Sequence, residues 1–459
     1  HPRPKFLIVG EAPGKNEVDA GVPFVGASGQ ELMRMLAEAG ISEAQCAFTN
    51  VVNIRPPNNS IARFFATSKK KAAESGCLPY AGKYALPIVY EGIRALRQEI
   101  INRKPEVVIG CGNTALWACT GEWGIMKWRG FQIEGNIDCH KFKFIPVVHP
   151  AAILRSWAWR WFTVVDLRRS AGPWRMPDYA FTVRPSFDTV MDTLGGLLRI
   201  VEQQPYAIAV DLETRVRHIA CLGLAWSSRH ALCIPFMCVE DEEGYWSFEQ
   251  EVQIWDKLRE LLTHPNCRVI GQNFAYDNQY LIRRVGFAAN LADDTMFQMH
   301  VCFPGTKKSL DFISSIFCEY HSFWKEEGKE WEKNMDEDQL WVYNCKDAVT
   351  TYEVNEALHG LLHKFQLQEQ YHERMQVQRV ALRMMLRGVS TDQSYKRQLS
   401  RACQEAITQR RDFLLDVVGY DVFGPKGISA QKMKKLCYEI LKLPLKYRID
   451  TATKSRVLP

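Results

Sequence analysis

The sequence predicts a string of α/β domains followed by a basic helical segment, and three observations carry that prediction. Its 459 residues are about three times the ~150-residue domain prior, so one compact fold is not expected. From Phe6 to about Arg169, short apolar runs alternate with amphipathic stretches, the rhythm of a parallel sheet covered by helices. From Tyr206, three strand-like runs follow one another and helices come after them, the order of a second α/β domain. At 46% hydrophobic and 24% charged residues the composition is globular, which excludes wholesale disorder, a fibre or a repeat array.

In chain order, Lys5–Val9, Cys46–Thr49, Glu106–Ile109 and Phe144–Val148 read as buried strands, and Gln30–Ala39 as a helix stopped by Gly40. Gly172-Pro173, Pro177 and Pro185 put the first boundary near 172, with 173–202 as a linker ending in a short helical pattern. Ala207–Leu212, His218–Trp226 and His230–Phe236 are the strands of the second domain, with Ser227-Ser-Arg229 as a turn. A helix over Glu251–Leu262, a strand over Arg268–Gly271 and a long helix over Asp338–Phe365 complete a domain over 203–365. From 366 to 459 two long helices are broken by Gly388-Val-Ser-Thr391, and a short helical piece covers Ser429–Leu441. Such a segment cannot close its own core and is expected to pack on a neighbour.

Several classes drop out. No run of about 18 apolar residues exists and the N-terminus has no signal-peptide layout, so neither a membrane span nor secretion is expected. Fourteen cysteines lie scattered without a C-x-x-C pair, which argues against a disulfide framework or zinc knuckle and for reduced thiols in a cytoplasm. The chain starts on His1 just before the first strand, so it is expected to begin inside a longer polypeptide. The formal charge is +6; residues 366–459 alone hold 18 Lys and Arg against 9 Asp and Glu, a local +9 that leaves −3 for the rest. That basic segment suits contact with a polyanion such as DNA.

Asp211 and Glu213 stand two apart at the end of an apolar strand, so period-two alternation points both to one face. Carboxylates held that close repel unless a cation sits between them, and hard oxygen donors suit Mg²⁺ or Mn²⁺. Asp277 follows Asn273 by four residues where a strand hands over to a helix, and Tyr343 and Asp347 share a helix face. Asp211-Leu-Glu213-Thr214, Asn273-Phe-Ala-Tyr-Asp277 and Tyr343-Asn-Cys-Lys-Asp347, in this order over about 203–365, resemble the DEDDy 3′-to-5′ proofreading exonuclease domain of family A DNA polymerases. The resemblance implies an RNase H-like fold and two divalent ions, roughly 4 Å apart, that activate water and stabilise the leaving 3′-oxygen. It implies that Asp211, Glu213 and Asp347 hold the first ion with Asp211 bridging, that Asp277 supports the second, and that Tyr343 orients the attacking water. Asn273 would contact the substrate strand.

In the first domain the leading strand runs into Gly10-Glu11-Ala12-Pro-Gly14, a turn that fits neither a P-loop nor a dinucleotide fingerprint. Gly21-Val-Pro-Phe24-Val-Gly26, Thr49-Asn50-Val-Val-Asn-Ile-Arg-Pro-Pro57 and His149-Pro-Ala-Ala-Ile-Leu-Arg155 follow. This set resembles the uracil-DNA glycosylase superfamily, closest to its family 4 branch, over 1 to about 170. A flipped uracil needs a stacking partner, an amide to read its edge and donors for charge on the departing base. The resemblance assigns these to Phe24, Asn50 and His149, with Glu11, Ala12 and Gly14 lining the pocket and Pro150 to Arg155 forming the loop that enters the duplex. Family 4 members hold an iron-sulfur cluster on four cysteines; here the third position is Ile54, no cysteine pair stands upstream of the first strand, Cys77 reads at most as a remnant of the fourth, and no cluster is expected. Ala12 stands where family 1 has a water-activating aspartate, so catalysis is expected to rest on substrate electrostatics.

Residues 366–459 resemble the start of a family A polymerase thumb through Leu386-Arg-Gly388-Val-Ser-Thr391-Asp392, Val422-Phe-Gly-Pro and Ile428-Ser-Ala-Gln-Lys-Met-Lys-Lys435, with Lys396, Arg397, Lys432, Lys434 and Lys435 able to grip phosphates. No palm acidic set follows up to Pro459, so this stretch alone is not expected to polymerise DNA; a separate polypeptide or more of the same chain would supply palm and fingers. The expectation is a phage or bacterial DNA-processing protein acting on single-stranded 3′ ends, uracil-containing DNA and primer-template. The competing reading is a non-catalytic DNA-binding arm that braces a polymerase.

Overall fold

The computed structural model describes residues 3–137, 140–172, 178–238, 244–320, 337–424, 427–444, 448–449 and 456–457. The chain falls into two compact units, His1–Leu386 and Arg387–Pro459.

The first unit opens with strand Phe6–Gly10, buried throughout, at the heart of a five-stranded sheet. It pairs in parallel with Cys46–Asn50 on one side and Val107–Cys111 on the other. His140–Val147 extends the parallel run and Ile133–Ile137 closes it antiparallel. Alternation sends Phe6 and Ile8 to a face covered by Leu32, Met35 and Leu36 of helix Ala27–Glu38 and by Val164 and Leu167 of helix Trp159–Ala171. Leu7 and Val9 face Val89, Ile93, Leu96 and Ile100 of helix Pro87–Arg103. A sheet covered on both faces needs uninterrupted apolar strands, which is why apolar runs found them. Strand Ile133–Ile137 and a small sheet of Phe65–Ala66, Lys83–Ala85 and Leu78–Tyr80 were not anticipated, being short and largely outside the apolar pattern. The predicted motifs all lie at or just beyond the carboxyl ends of the parallel strands or on the helix that follows, where open α/β sheets bind ligands.

The second sheet has six strands in the order Leu291–Asp294, Cys267–Gly271, Tyr206–Arg215, His218–Ala225, His230–Pro235, Ala180–Thr182. Its last strand and helix Phe187–Gln203 come from the stretch expected as a linker over 173–202. Pro173 and Pro177 lie outside the described residues, while Val190, Leu194, Leu197, Leu198 and Val201 form one helical stripe buried in the second domain's core. The opposite sheet face carries Ala209, Cys221, Ala225 and Cys233, small enough for helix Glu337–Lys364 to pack directly on it through Trp341, Cys345, Ala348 and Val349.

The expected boundary at 366 also shifts. Helix Gln368–Arg387 buries Tyr371, Met375 and Gln378, and the compact unit runs on to Leu386. The two domains of this unit meet in an apolar cluster of Phe162 with Met299, Phe312, Ile313, Ile316 and Leu358. In the second unit, helix Gln393–Val418 is capped by Asp392, whose Oδ1 accepts from the amides of Ser394 and Tyr395 at 2.9 Å, and it ends at Gly419 with φ 67°. None of its residues is buried. Among the described residues no helix is long and apolar enough to cross a membrane.

Candidate active sites

The Asp211 strand, the turn after Gly271 and the Asp347 helix converge on one acidic site. Asp211, Glu213 and Asp347 each offer a carboxylate oxygen within 4.8 Å of the others. The register shift between Glu213 and Thr214 bends the strand at this point. Asn344, fully buried one turn before Asp347 on the same helix, donates its amide to the Asp211 carbonyl at 3.2 Å and to its Oδ2 at 2.8 Å. Gly223 on the neighbouring strand makes room: a Cβ there would lie 2.5 Å from Asn344 Oδ1.

Asp277 stands beside the triad and outside it, buried, with Oδ1 accepting the Leu212 amide at 3.0 Å. Burial first, and then Asp211, hold its carboxyl well above the usual carboxylate range. Tyr343 packs half-buried under the same carboxylates; burial and the charge of Asp347 push its phenol up, so it stays protonated at neutral pH. Asn273 is exposed with φ 56°, a left-handed position asparagine tolerates. Its amide and that of Phe274 donate to the fully buried Asp294 at 3.1 and 2.9 Å, which locks the turn delivering Asp277.

In the first domain a single cavity of about 610 Å³ brings together every residue singled out there: Glu11, Ala12, Gly14, Phe24, Asn50, His149 and Arg155. Gly10 lies against two of its lining residues, where a Cβ would be 2.2 Å from Asn50 Oδ1 and 2.8 Å from Phe24 Cζ. Phe24 sits at φ 60°, a strained backbone for an aromatic residue, held by its amide donating to Glu17 Oε1 at 2.7 Å while the Gly14 amide donates to Glu17 Oε2 at 2.5 Å. Its ring lies 5.8 Å from that of Phe48 at 59°.

His149 caps helix Pro150–Arg155: its Nδ1 accepts the Ala151 amide at 3.2 Å. A neutral ring must then carry its proton on Nε2. Burial, and then the charge of Arg155, push the imidazole down to about 4, so neutral is its ordinary state. Glu11 accepts from Thr114 Oγ1 at 2.6 Å, and burial raises its carboxyl. Ile54 is exposed, and among the described residues no group of three or more ligating side chains gathers around Cys77, so the residues present do not fit a thiolate-bound cluster.

Three supporting residues escaped the sequence reading. Glu17, Asn344 and Asp294 act by clamping backbone or another side chain. Their only sequence signals were a carboxylate three residues after Gly14, an amide inside the Tyr343 motif, and an aspartate at a strand-helix junction.

Residues 1–167 match the uracil DNA glycosylase superfamily, and residues 191–363 match the 3′-5′ exonuclease family of DNA polymerase A type. A type-4 uracil-DNA glycosylase of Pyrobaculum aerophilum is 36% identical over 161 residues, covering 34% of this chain and 70% of that protein. A DNA polymerase of Bacillus phage SP01 is 24% identical over 309 residues, 60% of this chain and 30% of that protein. Among solved structures, Escherichia coli RNase D aligns with a TM-score of 0.34 and 16% identity over 45% of this chain and 51% of that one.

Proposed function

We propose, from the premise that this chain belongs to the uracil-DNA glycosylase superfamily through residues 1–167 and carries a polymerase A-type 3′-5′ exonuclease domain over 191–363, that it excises uracil at the first site and trims 3′ ends at the second. The observation carrying this reading is the assembly of two complete sets of side chains, one in the Asn50–His149 cavity and one around Asp211.

At the exonuclease site three hard oxygen donors within one ion's reach fit a divalent cation. Asp211, Glu213 and Asp347 would hold it, and Asp277 would serve a second. Bound there, such ions supply Lewis-acid stabilisation of charge on the phosphodiester. Asn344 keeps the Asp211 carboxylate aimed into the site. Tyr343, a neutral phenol, holds a water by hydrogen bonding and does not act as a base. Asn273, exposed at the rim, contacts the strand being trimmed.

At the glycosylase site Phe24 stacks on an extruded uracil and the Asn50 amide reads its edge. His149, as a neutral imidazole, offers Nε2–H to the O2 atom, where negative charge grows as the base departs. Arg155 at the mouth favours the phosphate backbone. The second unit, with an unburied helix, is the thumb start on which palm and fingers from another stretch of polypeptide would pack.

Uracil-containing single-stranded DNA should yield alkali-labile sites, abolished in Asn50→Ala. A 3′-labelled oligonucleotide with Mg²⁺ should shorten, and Asp211→Ala should stop this by roughly a thousandfold or more. Intact DNA with wild-type protein in both assays would leave a DNA-binding arm.

A further inference from the structure

Three large aromatic side chains around the junction of the two domains stand open to solvent: Trp157 is 58% exposed, Trp161 45% and Phe365 45%. Trp161 and Phe365 belong to a continuous series. Trp159 lines the glycosylase cavity and lies 5.6 Å from Phe162, which touches Trp161 at 5.1 Å. Trp161 stacks on Phe303 of the exonuclease domain at 5.8 Å and 27°, and Phe303 meets Phe365 edge-on at 6.2 Å. Half-exposed rings grouped in this way leave apolar surface in water, which marks a surface that something covers.

Charge narrows the occupant. Lys307 is exposed shortly after Phe303 and Lys364 is exposed next to Phe365, while the Arg160 guanidinium over the Trp157 ring at 5.2 Å is already paired with Glu31 and Glu38. Lys308 donates to the carbonyls of Pro304 and Thr306 at 2.6 Å, tying down the loop that follows Phe303. Flat rings flanked by cations are the chemistry of an unpaired nucleic-acid strand: its bases have free faces to stack, whereas those of a duplex are already stacked on one another.

We propose that Trp157, Trp161, Phe303 and Phe365 form a track for single-stranded DNA that leads from the rim of the glycosylase cavity across onto the exonuclease domain. It rests on the DNA-processing reading above but uses neither catalytic constellation.

The test uses the full chain with EDTA and fluorescent, uracil-free thymidine oligomers of about 4 to about 16 nucleotides, so that neither activity contributes. Affinity should rise with length. Trp161→Ala and Phe365→Ala should each weaken binding of the longest oligomer roughly tenfold, and Trp161→Phe should restore most of it. If Trp161→Ala lowers the melting temperature, Phe365→Ala, at an exposed helix end, decides alone. Unchanged affinity in Phe365→Ala, equal affinity for short and long oligomers, or equal affinity for duplex would overturn the track. So would loss of self-association, by light scattering, with DNA binding intact, since the strip would then be a protein interface. Loss of uracil excision in Asn50→Ala with oligomer binding unchanged separates the track from the glycosylase reading.

Discussion

In the proposed glycosylase reading, one hydrogen bond and one burial set the part that His149 would play. Its Nδ1 is committed to the Ala151 amide, so only Nε2 faces the cavity, and desolvation keeps the ring neutral down to about pH 4. Uracil excision should therefore stay level as pH falls through 6.5, the ordinary histidine value, and drop only near 4. A pH-rate profile with an acid limb at 6.5 that vanishes in His149→Gln would contradict this. The sign for stability follows from the same shift. The unfolded chain takes up the proton below about 6.5 and the folded one only below about 4, so the contribution present above 6.5 is lost between those values and then levels off. Gly10 gives a second residue-scale expectation. Its backbone is not left-handed, so Gly10→Ala can keep its conformation, but the new methyl collides with Asn50 and Phe24. Displacing both by about 1 Å should cost uracil excision roughly a hundredfold while 3′ trimming stays unchanged, measured on the same preparation.

Secondary elements bring these groups to their places, and buried polar anchors fix the joints between elements. Asp294 accepts four hydrogen bonds, from the amides of Asn273, Phe274 and Met296 and from Gln378 Nε2 at 2.6 Å. Asp294→Ala would strand donors in the interior and release the turn that carries Asp277. We expect a loss of about 3 kcal/mol in urea denaturation and a fall in exonuclease activity, with uracil excision retained. The clustering of the candidate acids was legible because strand alternation and helical spacing alone put Asp211 beside Glu213 and Tyr343 beside Asp347. Asp294 and Asn344 were not, since a clamp is defined by tertiary partners and single polar residues carry no period. The central strands were legible as apolar runs, while helix Phe187–Gln203 read only as a short helical pattern ending a proline-marked linker, although its stripe of Val190, Leu194, Leu197 and Val201 assigns it to the second domain's core. The packing of the segment after 366 on a neighbour was expected, but the domain end at 365 fell short, because Tyr371 and Met375 bury against the domain before them and only the fold shows which neighbour takes them.

At the scale of the molecule, the two catalytic domains of the first unit are joined by more than a tether. Arg129, 2% exposed, forms a two-pronged pair with the fully buried Asp166, Nε to Oδ2 at 2.8 Å and Nη2 to Oδ1 at 2.6 Å, and donates Nη1 to Ser315 Oγ of the exonuclease domain at 2.8 Å. Arg169 from the same helix as Asp166 reaches the carbonyls of Ser315 and Cys318 at 2.8 and 3.0 Å. Burial pushes the Asp166 carboxyl up and the two arginines pull it back, so the charge there depends on its partners. Arg129→Ala removes the chief partner and leaves a carboxylate sealed between domains, which should cost about 3–5 kcal/mol. Because the anchor is shared, the loss should fall on the contact between the domains more than on either core. Wild-type protein should then lose uracil excision and 3′ trimming over one urea transition for this unit, and Arg129→Ala should lose them at separate midpoints. Arg129→Lys keeps the charge but not the fork that grips Asp166 and Ser315 together, and should fall between the two. Coincident midpoints in both variants would mean that the apolar contact of Phe162 with Phe312 and Ile313 joins the domains on its own.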